Sequence, residues 1–266
     1  RSAMPRYRLR VAYEGTDFHG WQKQNPAGKA PLRTAQGVLE QTVREVVREP
    51  VLVNGASRTD SGVHALGQVA AFTSAMDIPP DRLARALTSR LPADIQVHHA
   101  EYIEPSFDPI SDARSKRYTY DFVFGKPPAC WPPLFDRRTT FWLHHDLDLD
   151  RMSAAAAHLV GEHDFKAFAQ KSHGRDSTVR TIFECSVAHT APHRIRLGVT
   201  GSGFLYNMVR IIAGSVLDVG RAHREAEQIG EAVRSGDRRL AGPTLPPHGL
   251  CLEWIHYGPN DLPEEA

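Results

Sequence analysis

Three residues of this 266-residue chain have the type and surroundings to do chemistry: Asp60, Tyr118 and Arg210. Asp60 lies in Asn54-Gly55-Ala56-Ser57-Arg58-Thr59-Asp60-Ser61-Gly62-Val63-His64, between the short apolar runs Val51-Leu52-Val53 and Val69-Ala70-Ala71-Phe72. A carboxylate on a polar, Gly-rich loop between two strands is where catalytic groups tend to sit. Arg58, two residues away, would keep that carboxylate ionised, which suits a nucleophile better than a general acid. The same letters also read as plain turn chemistry, since Asp-Ser-Gly makes turns without any reaction. No second carboxylate is near in sequence, so a paired-carboxylate glycosidase is not indicated. Tyr118 follows Lys116-Arg117 in an aromatic-rich run. It either packs a core or stacks on a nucleic-acid base. Arg210 stands among Leu205, Met208, Val209, Ile211, Ile212, Val216 and Leu217. A cation there needs a partner, for which Asp60 is a candidate, or a helix margin from which to reach water.

Those residues must be carried by regular elements. Tyr7, Leu9, Val11 and Tyr13 alternate with Arg8 and Arg10, which predicts a half-buried strand with a basic outer face. From Thr34 the apolar positions recur at helical spacing until Pro50. A strand is expected at Val51–Val53 and another at Val69–Phe72, flanking the Asp60 loop. A helix opens at Pro79-Pro80-Asp81, and strands are expected at Ile95–Tyr102 and Lys116–Phe124. The irregular stretch Glu104–Ser115 between the last two reads as a linker, dividing the chain into 4–110 and 111–266. Beyond it lie helices near Leu149–Val160, Phe204–Val219 and Arg224–Ser235, and strands near Thr181–His189, Arg194–Thr200 and Leu250–Tyr257. Strands and helices alternate in both halves without a strict βαβ repeat. The fold class is therefore α+β, with two similar-sized α/β halves packed through one extended, mostly antiparallel sheet.

Composition narrows the function. At 41% hydrophobic and 24% charged residues, the chain reads as a soluble globular protein. No apolar run is long enough for a membrane span, and no signal-like start is read, so a cytoplasmic location is expected. Cys130, Cys185 and Cys251 are isolated and odd in number, which fits a reducing compartment. None of the 14 histidines falls in a metal-ligand pattern, so no metal is expected. Gly201-Ser202-Gly203 lacks a third glycine and no P-loop is present, so no nucleotide cofactor is expected. The net charge is only +1, yet 26 of the 32 basic residues are Arg, the residue suited to bidentate phosphate contact. They cluster at Arg6, Arg8 and Arg10, at Arg114, Lys116 and Arg117, and at Arg221, Arg224, Arg234, Arg238 and Arg239. Acidic residues gather elsewhere, at Asp146, Asp148 and Asp150 and in the tail, which would allow one basic face for a nucleic acid.

The chain resembles the tRNA pseudouridine synthase family that acts on uridines 38 to 40. The resemblance rests on Tyr13-Glu14-Gly15-Thr16-Asp17-Phe18-His19-Gly20-Trp21-Gln22, on Gln36-Gly37-Val38-Leu39-Glu40 and on the Asp60 loop. It continues through Phe107-Asp108-Pro109, Lys116-Arg117-Tyr118-Thr119-Tyr120, Glu162-His163-Asp164-Phe165, the Gly201–Gly220 helix and Gly249-Leu250-Cys251-Leu252. It implies the pseudouridine synthase fold, with a central basic cleft for the anticodon stem-loop of tRNA, no cofactor, and a homodimer. Asp60 would be the nucleophile, with Arg210 its ion-pair partner. Tyr118 would stack on the uracil, Leu250 would close the other side of the base, and Arg58 would help hold the RNA with the target nucleotide turned out. Ser57, Ser61 and Ala35 depart from the common pattern at positions away from the chemistry, and the segment 25–32 is longer than expected. The alternative reading is a non-catalytic RNA-binding protein that uses the same basic strands and does not require Asp60.

Overall fold

The computed structural model of the chain describes residues 4–24, 28, 30–170 and 177–258; half of the long segment at 25–32 and the acidic tail lie outside them. Two compact units are present, 1–114 with 252–266, and 115–251. Each is α+β, as the alternation of patterns predicts.

The first unit begins with strand β1, Arg6–Tyr13, whose Tyr7, Leu9, Val11 and Tyr13 are buried while Arg10 is exposed. The alternation is the one read from sequence, because one face of the pleat meets the core. Helix α1, Ala35–Val47, starts where the Thr34 hydroxyl accepts the Gly37 amide and ends at Arg48 in left-handed backbone, two residues before Pro50. Val51 and Val53 are buried as expected, but the ladder there is limited to β2, Asn54–Gly55, opposite Ala71 and Ala70. The reason is that Val53 bonds to a helix instead: its amide donates to Glu40 Oε2 at 3.0 Å and its carbonyl accepts from Gln36 Nε2 at 2.7 Å. Strand β3 runs His64–Thr73, longer than the apolar run Val69–Phe72 predicts. Helix α2, Pro80–Thr88, packs on strand β4, Ile95–Ile103. β1 lies between β3 and β4 and is antiparallel to both.

The second unit is built on strands β5, Ser115–Phe124, β6, Phe141–Leu143, β7, Gly161–Asp164, β8, Val179–Ala191, and β9, Arg194–Gly201. Their antiparallel order is β5-β9-β8-β7, with β6 added parallel to β5. Helices α3, Leu149–Ala157, α4, Met208–Gly220, and α5, Ala226–Ser235, pack on one another. α4 is apolar on nearly every side because it is buried on nearly every side. It starts four residues later than its apolar pattern predicts. The chain at Asn207 is left-handed, with φ 60°, and Met208 N–H donates to the Leu205 carbonyl at 3.0 Å, so Leu205 to Met208 form a turn that precedes the helix instead of a first helical turn. The last strand, β10, Leu250–His256, lies beside β3, and Glu253 and Trp254 belong to the first unit. Gly67 of β3 permits that approach, since a Cβ there would stand 2.4 Å from the Glu253 carbonyl oxygen.

Candidate active site

In the first unit the structure fixes the Asp60 loop from three directions. Gln68 of β3 is fully buried, and its amide brackets Ser57: Oε1 accepts the Ser57 N–H at 3.1 Å and Nε2 donates to the Ser57 carbonyl at 2.6 Å. Two residues on, the Thr59 hydroxyl shares a buried 2.7 Å hydrogen bond with the Tyr13 phenol, and the Thr59 carbonyl accepts the Trp21 amide at 3.1 Å. Tyr13 and Trp21 stack with ring centroids 5.9 Å apart, so the bracing residues brace each other. The far side is closed by Val63 N–H donating to the Asp60 carbonyl at 3.1 Å and by Gly62, at φ +80°, donating to the Phe18 carbonyl at 3.3 Å.

The consequence is an extended backbone whose side chains alternate. Ser57 and Thr59 point in and are buried; Arg58 is exposed and Asp60 half-buried on the opposite side. A rigid scaffold thus carries a carboxylate and a guanidinium outward from one side of one loop. Arg58 makes no hydrogen bond or ion pair among the described residues. Three glycines allow this seat. A Cβ on Gly15 would stand 2.0 Å from the Val63 carbonyl oxygen, one on Gly20 2.6 Å from that of Thr59, and one on Gly55 2.2 Å from the Trp21 indole nitrogen. Tyr13, Trp21 and Gln68 are the functional neighbours whose roles a reading of single residues misses. The available signal was Gln68, an amide heading the apolar run Val69-Ala70-Ala71-Phe72.

In the second unit, Arg210 is in the first turn of α4, not in mid-helix. It is half-buried; its Nε donates to the Leu245 carbonyl at 2.6 Å and its second nitrogen to Asn207 Oδ1 at 2.7 Å. Those acceptors compensate a cation at the helix end whose dipole disfavours it. The Leu245 amide returns a bond to the Arg210 carbonyl at 3.3 Å, so Arg210 pins the segment that leads to Leu250. Tyr120 pins the same segment from β5, its phenol donating to the Pro246 carbonyl at 2.8 Å. Burial pushes the Tyr120 phenol above its ordinary range, against the lowering effect of the Arg210 charge, so it remains a donor. Gly249 lets the chain cross that ring, since a Cβ would meet it at 2.5 Å. Leu250 then opens β10 and is 5% exposed. Tyr118, opposite Val199 of β9, is buried and meets Phe204 edge to face at 5.3 Å. The structure therefore brings Arg58 and Asp60 together in one unit, and joins Arg210, the Leu250 segment and the Tyr118 strand in the other. Among the described residues no three His, Cys, Asp or Glu side chains converge as metal ligands.

Comparison with known proteins gives the framework. A family model described as tRNA pseudouridine synthase matches residues 10–108 and 155–258. The chain is 38% identical over 254 residues to tRNA pseudouridine synthase A 2 of Clostridium perfringens, covering 96% of this chain and 100% of that one. It is 40% identical over 257 residues to the tRNA pseudouridine synthase A of Geotalea uraniireducens, with the same coverage of 96% and 100%. It is 41% identical over 263 residues to that of Solidesulfovibrio magneticus, covering 96% and 92%.

Proposed function

Because the chain belongs to the tRNA pseudouridine synthase family, an isomerase family acting on tRNA, we propose that it modifies uridines 38, 39 and 40 of the anticodon stem-loop, with Asp60 as nucleophile. The observation that supports this reading is the braced loop. Ser57 and Thr59 are tied down by buried hydrogen bonds while Arg58 and Asp60 face outward, which is how a preorganised reacting group is held.

The reaction breaks the N1–C1′ glycosidic bond, turns the uracil, and joins C5 to C1′. The C5 proton leaves to solvent and N1 gains one, so no electrons enter or leave and no cofactor is called for. The base must first leave its stack, at a cost recovered by a pocket with stacking walls. Tyr118 supplies an aromatic wall and Leu250 an aliphatic one. Arg58 holds the RNA backbone around the extruded nucleotide. The Asp60 carboxylate adds to its electrophile and is released at the end of each turnover. Arg210 serves as its ion-pair partner; its seat in the first turn of α4, where the helix dipole also favours an anion, supports that role. The enzyme works as a homodimer in the cytoplasm.

The test is tritium release from C5-labelled uridine in full-length tRNA transcripts, with uridines 38, 39 and 40 each labelled in turn and all the other uridines labelled in a further transcript. Release from all three supports the reading; release only from other uridines overturns the assignment of position, and binding without release from any uridine moves the protein to the RNA-binding class. For Tyr118, base–aromatic stacking is worth roughly 1–3 kcal/mol. Tyr118→Ala is therefore expected to lower kcat/KM about tenfold or more. Tyr118→Phe, which keeps the ring and its edge contact with Phe204, should stay within about threefold of the native enzyme. Equal losses in the two variants would show that the hydroxyl, not the ring, matters.

A further inference from the structure

Much of the basic character read from sequence is neutralised inside the fold. Arg224 pairs with Asp218 at 3.2 Å, Arg234 with Glu231 at 2.9 Å and Arg239 with Asp237 at 2.6 Å. Arg238 is used by the carbonyls of Ala241 and Gly242. Arg8 and Arg117 pair with Glu101 and Glu184. Arg221 is different. Its Nε is buried and has no hydrogen-bond partner among the described residues.

Three pieces of backbone in the second unit converge beside it. The parallel pairing of β5 with β6 sets Phe124 against Leu143, and Gly125 N–H donates to the Leu143 carbonyl at 3.1 Å. Lys126 and His144-His145 therefore leave the sheet side by side. The Asp148 amide then donates to the Gly220 carbonyl at 3.0 Å, which ties that stretch to the turn closing α4. In that turn, Arg221 N–H bonds to Leu217, His223 N–H bonds to Asp218, and Ala222 is left-handed. Lys126, His144, His145, Arg221 and His223 are thereby gathered on one patch. None of the five side chains forms a hydrogen bond or ion pair among the described residues. The neighbouring carboxylates are engaged or turned to water: Asp148 caps α3 by accepting the Arg151 amide, Asp218 holds Arg224, and Asp146, the residue after His145, is exposed. Loss of hydration and the cations Arg221, Lys126, His144 and His223 hold the His145 imidazolium below its ordinary range.

Cations held together without an anion repel one another, so an arriving phosphate gains from all of them at once. We propose that Lys126, His144, His145, Arg221 and His223 form a phosphodiester-binding site for the tRNA backbone, separate from the residues assigned to the reacting uridine. The proposal rests on tRNA being the substrate. The patch lowers the proton affinity of His145 and an adjacent phosphate offsets that, so the contact is pH-dependent. The added affinity is complete below the free range of His145 and lost as pH rises through its phosphate-bound range.

The experiment compares native protein with Lys126→Ala/Arg221→Ala and with His144→Gln/His145→Gln/His223→Gln. Kd for a full-length tRNA transcript is read between about 50 and 300 mM salt, together with kcat, KM and Tm. The Lys/Arg double variant is expected to raise Kd and KM about tenfold and leave kcat and Tm near native. Its slope of log affinity against log salt should be shallower by about 1–2, the loss expected for one or two phosphate contacts. The His variant should lose the tightening that the native protein shows between about pH 8 and pH 6. Native Kd and salt slope in the double variant, or a fall in Tm and kcat with no change in slope, overturns the proposal. Failure of native protein to release tritium would sink the synthase reading instead, while the Kd comparison would still decide the phosphate site.

Discussion

Asp60→Asn is expected to reduce pseudouridine formation by on the order of 10⁴-fold or more, the scale on which removal of a nucleophile acts, with tRNA bound no more weakly than by native protein. The separation of the two readouts follows from the loop's anchoring. Its seats are Ser57 on Gln68, Thr59 on Tyr13 and Trp21, and the Asp60 carbonyl on Val63, and the last of these is a backbone bond that an isosteric amide keeps. The side chain changes charge and nucleophilicity without changing size, and removing a negative charge cannot repel a polyanion. C5-tritium release measures the chemistry and filter binding the affinity. Asp60→Ala belongs beside it, because an Asn before Ser61 can slowly deamidate back to a carboxylate. Substantial release by both variants would remove Asp60 from the chemistry and leave the loop as a binding element.

Gly15→Ala should also lower activity strongly, though less than Asp60→Asn, although Gly15 carries no functional group. Its Cβ would stand 2.0 Å from the Val63 carbonyl oxygen and 2.5 Å from the carbonyl carbon. Those are backbone atoms, so no rotamer change relieves the clash. Gly15 N–H also donates to His64 Nδ1 at 2.9 Å, which holds the two backbones together. Relief must come from moving Val63, whose amide is bonded to the Asp60 carbonyl at 3.1 Å. Overpacking of this kind costs about 1–3 kcal/mol, and displacing a reacting group by about 1 Å can cost on the order of 10²-fold in rate. The expected result is a lower Tm together with a fall in kcat. Gly258→Ala, where no described residue lies within 4 Å of the added methyl, is the control and should change neither. If the two variants behave alike, the close approach of Gly15 to Val63 is not what seats the loop.

Local pattern was enough to read some of this molecule. β1 is legible because its alternation is uninterrupted, and α1 because Thr34 caps it and its apolar positions keep helical spacing. The start of α4 was not legible. Leu205 and Tyr206 extend the apolar pattern, and the break is made by the backbone of Asn207, a residue that tolerates left-handed geometry without announcing it. That break moved Arg210 from mid-helix to the first turn, where its acceptors include a backbone carbonyl and an amide oxygen. Asp60 was visible from its loop composition, but the seats beneath it were not, since Tyr13, Trp21 and Gln68 meet Ser57 and Thr59 only after the chain has folded. Charge was misleading for the same reason. Arg221 and Arg224 look alike in a row of letters, yet Arg224 meets Asp218 and Arg221 meets no carboxylate among the described residues. The membership of β10 beside β3 is likewise a long-range pairing with no local signature.

That last pairing has a consequence for how the protein is made. A ribosome delivers β3 early, but the strand that covers its second edge comes only after all of 115–251 has emerged. The second unit is contiguous in the chain and can close on itself during synthesis. The first must wait with the part of that edge of β3 that β2 does not pair left uncovered, a row of backbone N–H and C=O groups that is a template for pairing with another nascent chain. Chaperone demand during translation should therefore centre on the half of the protein that leaves the ribosome first.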